Sequence, residues 1–414
     1  MNQVISDISV IHFDKIRNDF SVLDQEINGH PLVYLDNAAS SQMPKQVADR
    51  LDQYHRYEHS NVHRGIHTLS QNATNAFEEA RLKVKHLINA ADHDEIIYTT
   101  GTTDSINLVA NSYGLVNFRK GDEIILSEME HHANIVPWQM VAEKTGAVIK
   151  VIPVTDLGEL DLDAYKRLLS PKTKMVAVVH VSNALGTVNP VKKITELAHE
   201  SGAVVLIDAA QSVPHKKIDV QEIDADFITF SAHKMCGPTG FGILYGKMDL
   251  LEAMPPYRGG GDMIDKVSFE KTTYNRVPFR FEAGTPPIAS AIGLSSAIDY
   301  INSIGMDAIE ERENQLVEYM LDQLLAVDGV RLIGEAKDRA SLASFTVDEI
   351  HASDVGTILD KQGIAIRTGH HCAQPILKRF KVPSTARASL SFYNSREDID
   401  RLIDGIKTVK SFFQ

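Results

Sequence analysis

The sequence predicts an α/β protein, with a large doubly wound, mostly parallel sheet followed by a smaller α+β domain. Three observations predict it. Between about residues 31 and 295, short apolar runs alternate with amphipathic helical patterns, the order expected of an open sheet covered by helices. Several of these runs, such as Ala203-Val-Val-Leu-Ile-Asp208, carry no polar alternation, as fits strands buried on both faces. From 296 onward the order changes to helices, short strands and a closing helix. At 414 residues the chain is long enough for two domains and a large core.

Residues 1–30 read as an N-terminal segment, with a short leader over 1–10 and a helix within 11–30 that docks on the smaller domain. The large domain is expected over 31–295. Within it, Glu95-Ile-Ile-Tyr-Thr-Thr reads as a strand and Gly101-Thr-Thr-Asp as the start of a helix. Ile124-Ile-Leu-Ser-Glu-Met-Glu130 leads from a strand into the His131-His132 loop. A long Gly-, Pro- and Thr-bearing loop is expected over 257–284, and structureless loops of that length are usually functional. A helix follows near 288–304. The small domain is expected over 296–414, with a helix at 307–327, strands at 331–333, 341–347, 364–367 and 388–392, and a closing helix at 396–413.

Three of these elements carry chemistry. Asp226-Phe-Ile-Thr-Phe-Ser-Ala-His-Lys234 is a buried strand that ends on a lysine. A lone lysine there most often snorkels to the rim. The alternative is a partly buried amine whose pKa falls far enough to attack a carbonyl and form a Schiff base. Asp208 ends a neighbouring apolar run; alone it reads equally well as a helix N-cap. Parallel strands bring such ends to one edge, where α/β proteins bind ligands. Pyridoxal phosphate uses this pair, a lysine for its aldehyde and an acid for its ring nitrogen. At Gly101-Thr102-Thr103 a helix N-terminus offers free N–H groups and hydroxyls to an anion, although an ordinary capped helix would look the same. No GxxxxGK[ST] or GxGxxG pattern is present, which disfavours a nucleotide.

Cys236 and Cys372 are the only cysteines. Two cysteines give no disulfide framework and fit a reducing, cytoplasmic setting. Buried and inert is the ordinary state of a lone cysteine. Cys372, however, lies in Arg367-Thr-Gly-His-His-Cys, a setting whose cations favour a thiolate. Cys236 reads as a packing residue. His63, His67, His371 and Cys372 invite a zinc site, but no CxxC pair or HExxH helix accompanies them and no metal is expected. The net charge of −13 argues against nucleic acid. No apolar run reaches a membrane span, and the N-terminus has no signal-peptide pattern.

Taken together, Tyr34-Leu-Asp-Asn-Ala-Ala-Ser, His63-Arg-Gly-Ile-His, Gly101-Thr-Thr, Glu130-His-His-Ala-Asn, His180-Val-Ser-Asn, Asp208-Ala-Ala-Gln, Ser231-Ala-His-Lys, Arg280-Phe-Glu-Ala-Gly-Thr and Arg367-Thr-Gly-His-His-Cys span nearly the whole chain. In these motifs it resembles the group II cysteine desulfurases, the SufS-like and selenocysteine lyase branch of the class V aminotransferase superfamily. The resemblance implies the fold type I of pyridoxal-phosphate enzymes, with a seven-stranded sheet. It implies that Lys234 holds the cofactor, Asp208 its ring nitrogen, and His131 its ring face while moving protons. Gln211, Thr102, Thr103, Ser231, His233 and Thr285 complete the cofactor site, Thr285 by reaching the phosphate of a neighbouring subunit in a homodimer. Arg387, Asn183, His63 and Arg367 would meet the substrate, L-cysteine or L-selenocysteine. Cys372 would take its sulfur as a persulfide and pass it to an acceptor protein of iron–sulfur cluster assembly. A selenocysteine lyase or another class V pyridoxal-phosphate enzyme on the same fold, or a sulfur-transfer scaffold without catalysis, are the other readings; the intact Lys234, Asp208, His131 and Cys372 set opposes the last. The short segment around Cys372, by the same analogy, implies modest activity without an acceptor. Thr100 stands where relatives often carry arginine, and Ala232 where glycine is common.

Overall fold

The computed structural model describes residues 12–413, and the leader expected at 1–10 lies outside them. Its centre is a seven-stranded sheet made of β1 (Ile96–Thr99), β2 (Glu123–Ser127), β3 (Val148–Ile152), β4 (Thr173–Val179), β5 (Val204–Asp208), β6 (Phe227–Ser231) and β7 (Gly242–Gly246). Their spatial order is β1-β7-β6-β5-β4-β2-β3. All neighbouring pairs are parallel except the two made by β7. Since β7 opposes both β1 and β6, those two strands run the same way. The C-terminal ends of all six parallel strands therefore open on one edge, the ligand edge of an open α/β sheet.

The apolar runs become strands because both faces are covered. Ile125, Val176, Val178, Val205, Ile207 and Ile228 join the core on one face. Ile124, Leu126, Met175, Ala177, Leu206 and Phe227 join the core on the other. Successive strand residues alternate sides, so a continuous apolar run is what two covered faces require. Helix α1 (Thr68–Leu87) buries Ala73, Phe77, Ala80, Arg81 and Val84, one face at helical spacing. The helix α2 (Thr102–Val109) starts directly after β1, with Gly101 as its N-cap.

The helix expected near 288–304 forms as α3 (Ile288–Ile304) and ends at Gly305, whose φ is +93°. The next, α4 (Met306–Leu325), starts at once. Beyond it a four-stranded antiparallel sheet is built from β8 (Val330–Leu332), β9 (Leu342–Val347), β10 (Arg367–Gly369) and β11 (Thr385–Ser389), in the order β8-β9-β11-β10. It shares its own core with α4 and the closing helix α5 (Arg396–Ser411), through Leu316, Met320, Phe345, Leu402 and Ile406. Val33 and Leu35 also belong to that core. Val33–Tyr34 pairs in parallel with Ile364–Ala365, so these residues pack with the second sheet although the sequence groups them with the first.

Three elements differ from expectation. The strand placed at 388–392 lies instead at Thr385–Ser389. Here Ala386 and Ala388 point into the second core, while the alternate polar residues find partners on the other face, a pattern an apolar search passes over. The helix expected in 11–30 is confined to Phe13–Arg17, and Glu26–Ile27 pairs with His30–Pro31 as a hairpin. Its turn is Asn28-Gly29, both at positive φ, a strong hairpin signal in the sequence. The 257–284 loop contains the hairpin Ile264–Val267/Thr272–Tyr274 and buries Met263, Val277 and Phe281.

A close backbone approach seats α2 on the sheet. Gly242 pairs with Thr99 on one side and Ser231 on the other. A Cβ built on it would lie 2.4 Å from Gly101 Cα. We therefore expect Gly242→Ala to destabilise the fold by ~1–3 kcal/mol through forced backbone displacement, read as a lower urea midpoint. Gly259→Ala, where a Cβ meets nothing within 4 Å, should leave that midpoint unchanged.

Candidate functional site

The strand ends converge on a cavity of about 820 Å³, closed on its far side by β10, β11 and the Cys372 loop. Of the residues expected at the site, Thr102, Thr103, His131, Asn183, Asp208, Gln211, Ser231, His233, Lys234, Arg367, Cys372 and Arg387 all line it. His63 and Thr285 do not line the cavity of their own chain. His63 instead hydrogen-bonds Glu78 at 2.8 Å, and Thr285 is exposed.

Lys234 ends a short 3₁₀ turn after β6. Burial pushes its pKa down to about 8; Asp208 opposes the shift, and Arg387 and Arg367 add to it. Asp208 ends β5 and is 3% exposed. Burial raises its pKa, against the Ala210 N–H and the charge of Lys234. That N–H reaches Oδ1 at 3.0 Å, and no donor among the described residues meets Oδ2. Lys234 and Asp208 thus offer the cavity a weakly basic amine and a buried acceptor.

At the N-terminus of α2 the polar groups are already ordered. The Thr102 N–H donates to Ser231 Oγ at 2.8 Å, and the two hydroxyls lie 2.8 Å apart. Thr103 comes next, its N–H without an acceptor among the described residues. Asp104 in the same turn accepts the Thr100 N–H at 3.1 Å and pairs with Arg258 at 2.5 Å. A helix N-terminus with an unused N–H and nearby hydroxyls suits an anion.

His131 follows β2. The Ala133 N–H donates to its Nδ1 at 3.0 Å, which leaves the ring proton on Nε2. Burial, with Lys234, His132 and Arg387, pushes its pKa down to about 4, so it is neutral near pH 7. Beneath it, buried Glu130 accepts from Ser127 Oγ at 2.5 Å, Asn134 Nδ2 at 2.7 Å and the Val179 N–H at 3.0 Å. These bonds tie the His131 loop to the end of β4. Gln211 donates to the Ala38 carbonyl at 2.6 Å. His233 approaches Ser40 Oγ at 3.4 Å, and burial holds its pKa down at about 4.

Arg387, 2% exposed on β11, donates to the Asn183 carbonyl at 2.7 Å and to Asp36 at 3.3 Å. Burial pushes its pKa down to about 10, so it remains charged. Its Nε and the Asn183 Oδ1 are buried without partners among the described residues. Orphaned groups of this kind are costly unless a ligand meets them. Arg367, opposite Arg387 on β10, places Nε and Nη2 on Asp36 at 2.9–3.2 Å. Asp36, which joins the two arginines, is the residue that sequence reasoning missed as an individual side chain. The signal was present, because Leu32-Val-Tyr-Leu-Asp36 is an apolar run ending on a carboxylate, as at Asp208.

Cys372 is exposed. It and His371 both hold φ near +50°, a left-handed conformation that costs roughly 1–2 kcal/mol for each side-chain-bearing residue. Several contacts hold it. Asn183 Nδ2 donates to the His371 carbonyl at 2.7 Å and the His132 N–H to the Cys372 carbonyl at 2.7 Å. The His371 ring meets Thr385 Oγ1 at 2.8 Å. Burial drives the His371 pKa down to about 3. His371 is therefore neutral and does not supply the positive charge the sequence suggested. The cations that share the cavity with Cys372 are Lys234, Arg367 and Arg387. Cys236 is buried, and its thiol is pushed up to about 12.

The histidines that invited zinc are engaged separately: His67 caps α1 through the Ser70 N–H, His63 pairs with Glu78, and His371 with Thr385. No helix among the described residues is long and apolar enough to cross a membrane.

The chain is similar to known proteins along nearly its whole length. A family model described as aminotransferase class-V matches residues 33–402. A probable cysteine desulfurase of Halalkalibacterium halodurans is 52% identical over 399 residues, covering 96% of this chain and 98% of the relative. A cysteine desulfurase of Dickeya dadantii is 52% identical over 397 residues, covering 96% of each. Among solved structures, the cysteine desulfurase CsdA of Escherichia coli, in its S-sulfonic acid form, superposes with a TM-score of 0.91 at 39% identity. That match covers 98% of this chain and all of the other.

The lowered pKa of Lys234 has a direct consequence. Only the neutral amine attacks a carbonyl, so its capture of a small added aldehyde should rise with pH and level off above about 8. Borohydride reduction and peptide mass spectrometry across pH 6–11 measure this. An ordinary lysine would keep gaining through pH 10.

Proposed function

The chain belongs to the class V aminotransferase family, and we propose that it is a cysteine desulfurase. The single observation that carries this reading is that an amine, a buried carboxylate and an exposed thiol line one cavity, as Lys234, Asp208 and Cys372. The family's desulfurases depend on pyridoxal 5′-phosphate, and the orphaned groups, the free α2 N–H and the cavity's size fit it here. Lys234 would hold its aldehyde, Asp208 its ring nitrogen, and Thr103, Ser231 and His233 its phosphate end. When bound, it supplies an electron sink for charge developing at the substrate Cα.

The chain's own residues do the rest. Arg387 presents Nε and Nη2 to the L-cysteine carboxylate, the planar edge suited to such a group. Asn183 orients the substrate beside it. Lys234, with a pKa near 8, takes the Cα proton, because far more of it is neutral near pH 7 than of an ordinary lysine. His131, neutral with its proton on Nε2, stacks over the site and relays protons at that atom. Cys372 then attacks the substrate sulfur. A new S–S bond forms to Cys372 as the substrate C–S bond breaks, and the electron pair of that bond stays on carbon. Protonation of the carbon releases L-alanine and leaves a persulfide on Cys372.

The rigid Cys372 loop holds the persulfide at the surface, where the thiol of an acceptor protein in iron–sulfur cluster assembly collects it. A reducing, cytoplasmic setting keeps the Cys372 thiol available. We place two copies in a two-fold homodimer, the commonest closed symmetry.

Two outcomes test this reading. Cys372→Ser should retain cofactor and substrate binding yet accumulate no persulfide and lose most desulfuration, whereas Cys236→Ser should keep the persulfide. Mass spectrometry after brief exposure to L-cysteine reads both, and a persulfide mapped to Cys236 would overturn the assignment. Asp36→Asn should raise KM for L-cysteine ~10–100-fold, the scale of a lost charge-assisted bond. It leaves Arg367 and Arg387 facing each other with no anion between them. Cofactor content should not change; a KM equal to wild type would remove Asp36 from the substrate site.

A further inference from the structure

Three bonds among the described residues hold the Cys372 loop from the large domain. Asn183 Nδ2 donates to the His371 carbonyl and the His132 N–H to the Cys372 carbonyl, both at 2.7 Å. The third runs the other way, from the Gln374 N–H to His132 Nε2 at 3.2 Å. His132 therefore grips the loop twice, with its backbone at Cys372 and its ring at Gln374. A ring nitrogen that accepts a hydrogen bond carries no proton, so the proton of neutral His132 sits on Nδ1. Gln374 opens the short helix Gln374–Arg379, and its N–H is one of the donors that a helix leaves without an internal partner. A second imidazole works inside the loop itself: the Cys372 N–H donates to His370 Nδ1 at 3.2 Å. The His132 and His370 rings lie 5.7 Å apart, tilted by 36°.

The loop needs such ties, because His371 and Cys372 hold φ at +52° and +53°. Strained backbone of this kind persists only while its surroundings over-determine it. Two of the three ties from the large domain join amide and carbonyl groups, which do not titrate. The ring bond of His132 does. An imidazolium has no lone pair at Nε2 and would turn an N–H of its own toward the Gln374 N–H. Burial lowers the His132 pKa from the ordinary histidine value, and the charge of His370 pushes it the same way. The groups facing the ring are thus His370 from the Cys372 loop and His131 from its own loop, 6.3 Å away. His131 titrates at about 4 and His371 at about 3, both held down first by burial. A change in the loop that is complete above pH 4 therefore belongs to neither.

We propose that His132 is a positioning residue for Cys372: its neutral ring, bonded to the Gln374 N–H, fixes the thiol across the cavity from Lys234, and protonation of the ring releases the loop. The grip itself stands on geometry; its use, to aim the thiol at a substrate sulfur, rests on the desulfurase reading. The sign follows from the lowered pKa. The bond is fully present above the ordinary histidine value of about 6.5 and is lost as pH falls through the lower folded value. Protonation of His370 acts in the same direction, since it removes the acceptor of the Cys372 N–H and sets two cationic rings side by side.

Hydrogen exchange at the Gln374 amide, corrected for the intrinsic rate, tests this in the cofactor-loaded protein between pH 8 and pH 5. Mass spectrometry with fragmentation resolves the single residue. Four proteins are compared: wild type, His132→Gln, His132→Phe and His370→Asn. The Gln side chain offers an acceptor oxygen at similar reach and does not titrate, whereas Phe keeps a ring and offers none. We expect wild-type protection at Gln374 to fall ~2–10-fold from pH 8 to pH 5, the scale of one hydrogen bond. His132→Phe should show the low protection at both pH values, and His132→Gln the high protection at both. His370→Asn, which keeps an acceptor for the Cys372 N–H, should still show the fall at Gln374. Wild-type protection that does not change with pH overturns the proposal, as does a fall that persists in His132→Gln. Should His132→Phe fail to fold, wild type and His132→Gln decide the matter between them. The Cys372 persulfide formed on brief exposure to L-cysteine at pH 8 is read from the same samples. A persulfide beside pH-independent protection defeats the His132 grip alone. No persulfide in the wild-type protein defeats the desulfurase reading, and with it the use assigned to the grip.

Discussion

The site depends on the Asn183 junction. Its amide donates to the His371 carbonyl, and its own carbonyl receives Arg387, both at 2.7 Å and both buried. Asn183 follows β4 of the large sheet, whereas His371 and Arg387 belong to the second sheet and the loop beside it. One residue therefore sets how far the Cys372 loop stands from the sheet edge that carries Lys234. Arg387 extends the junction to Asp36, and Asp36 to Arg367. Breaking a bond of this kind leaves a buried polar group unpaired, at a cost of about 1–3 kcal/mol. The register of the two walls would loosen with it.

Strain and charge at Cys372 follow from the same construction. Two successive left-handed residues form only where surrounding bonds over-determine them, and Asn183, His132 and Thr385 provide those bonds. The cost is local, and the result is a thiol held in one place at the surface. Its electrostatic setting is made by two arginines and a lysine. Two histidines that line the cavity, His371 and His131, are kept neutral by burial. Neutral imidazoles accept and donate hydrogen bonds without adding positive charge to a cavity that already holds three cations. Of those, Asp36 balances the two arginines and Asp208 lies across from the lysine.

The apolar runs that end on Asp208 and Lys234 announced both the strands and their chemistry, because strands buried on both faces show no alternation and can end only at the ligand edge. Helix Ile288–Ile304 was legible for a similar reason: it is apolar on nearly every face. Strand Thr385–Ser389 was not, since it alternates small alanines with polar residues whose partners lie on distant segments. The N-terminal hairpin was readable in Asn28-Gly29 but was hidden by an expectation of helix. Asp36 lies within the Tyr34-Leu-Asp-Asn motif, yet its pairing with two arginines 331 and 351 residues away cannot be read from local pattern. The charge state of His371 also depended on burial, which a sequence of adjacent cations does not reveal.

The central claim is that sulfur leaves the substrate by direct transfer to Cys372, held across one cavity from Lys234. Rapid chemical quench of the cofactor-loaded protein with sulfur-labelled L-cysteine, in the absence of any acceptor thiol, tests it most directly. The account predicts a fast burst of about one L-alanine per site, matched by about one protein-bound sulfur, and then near arrest until an acceptor is added. Steady alanine production with free sulfide and no protein-bound sulfur would contradict it.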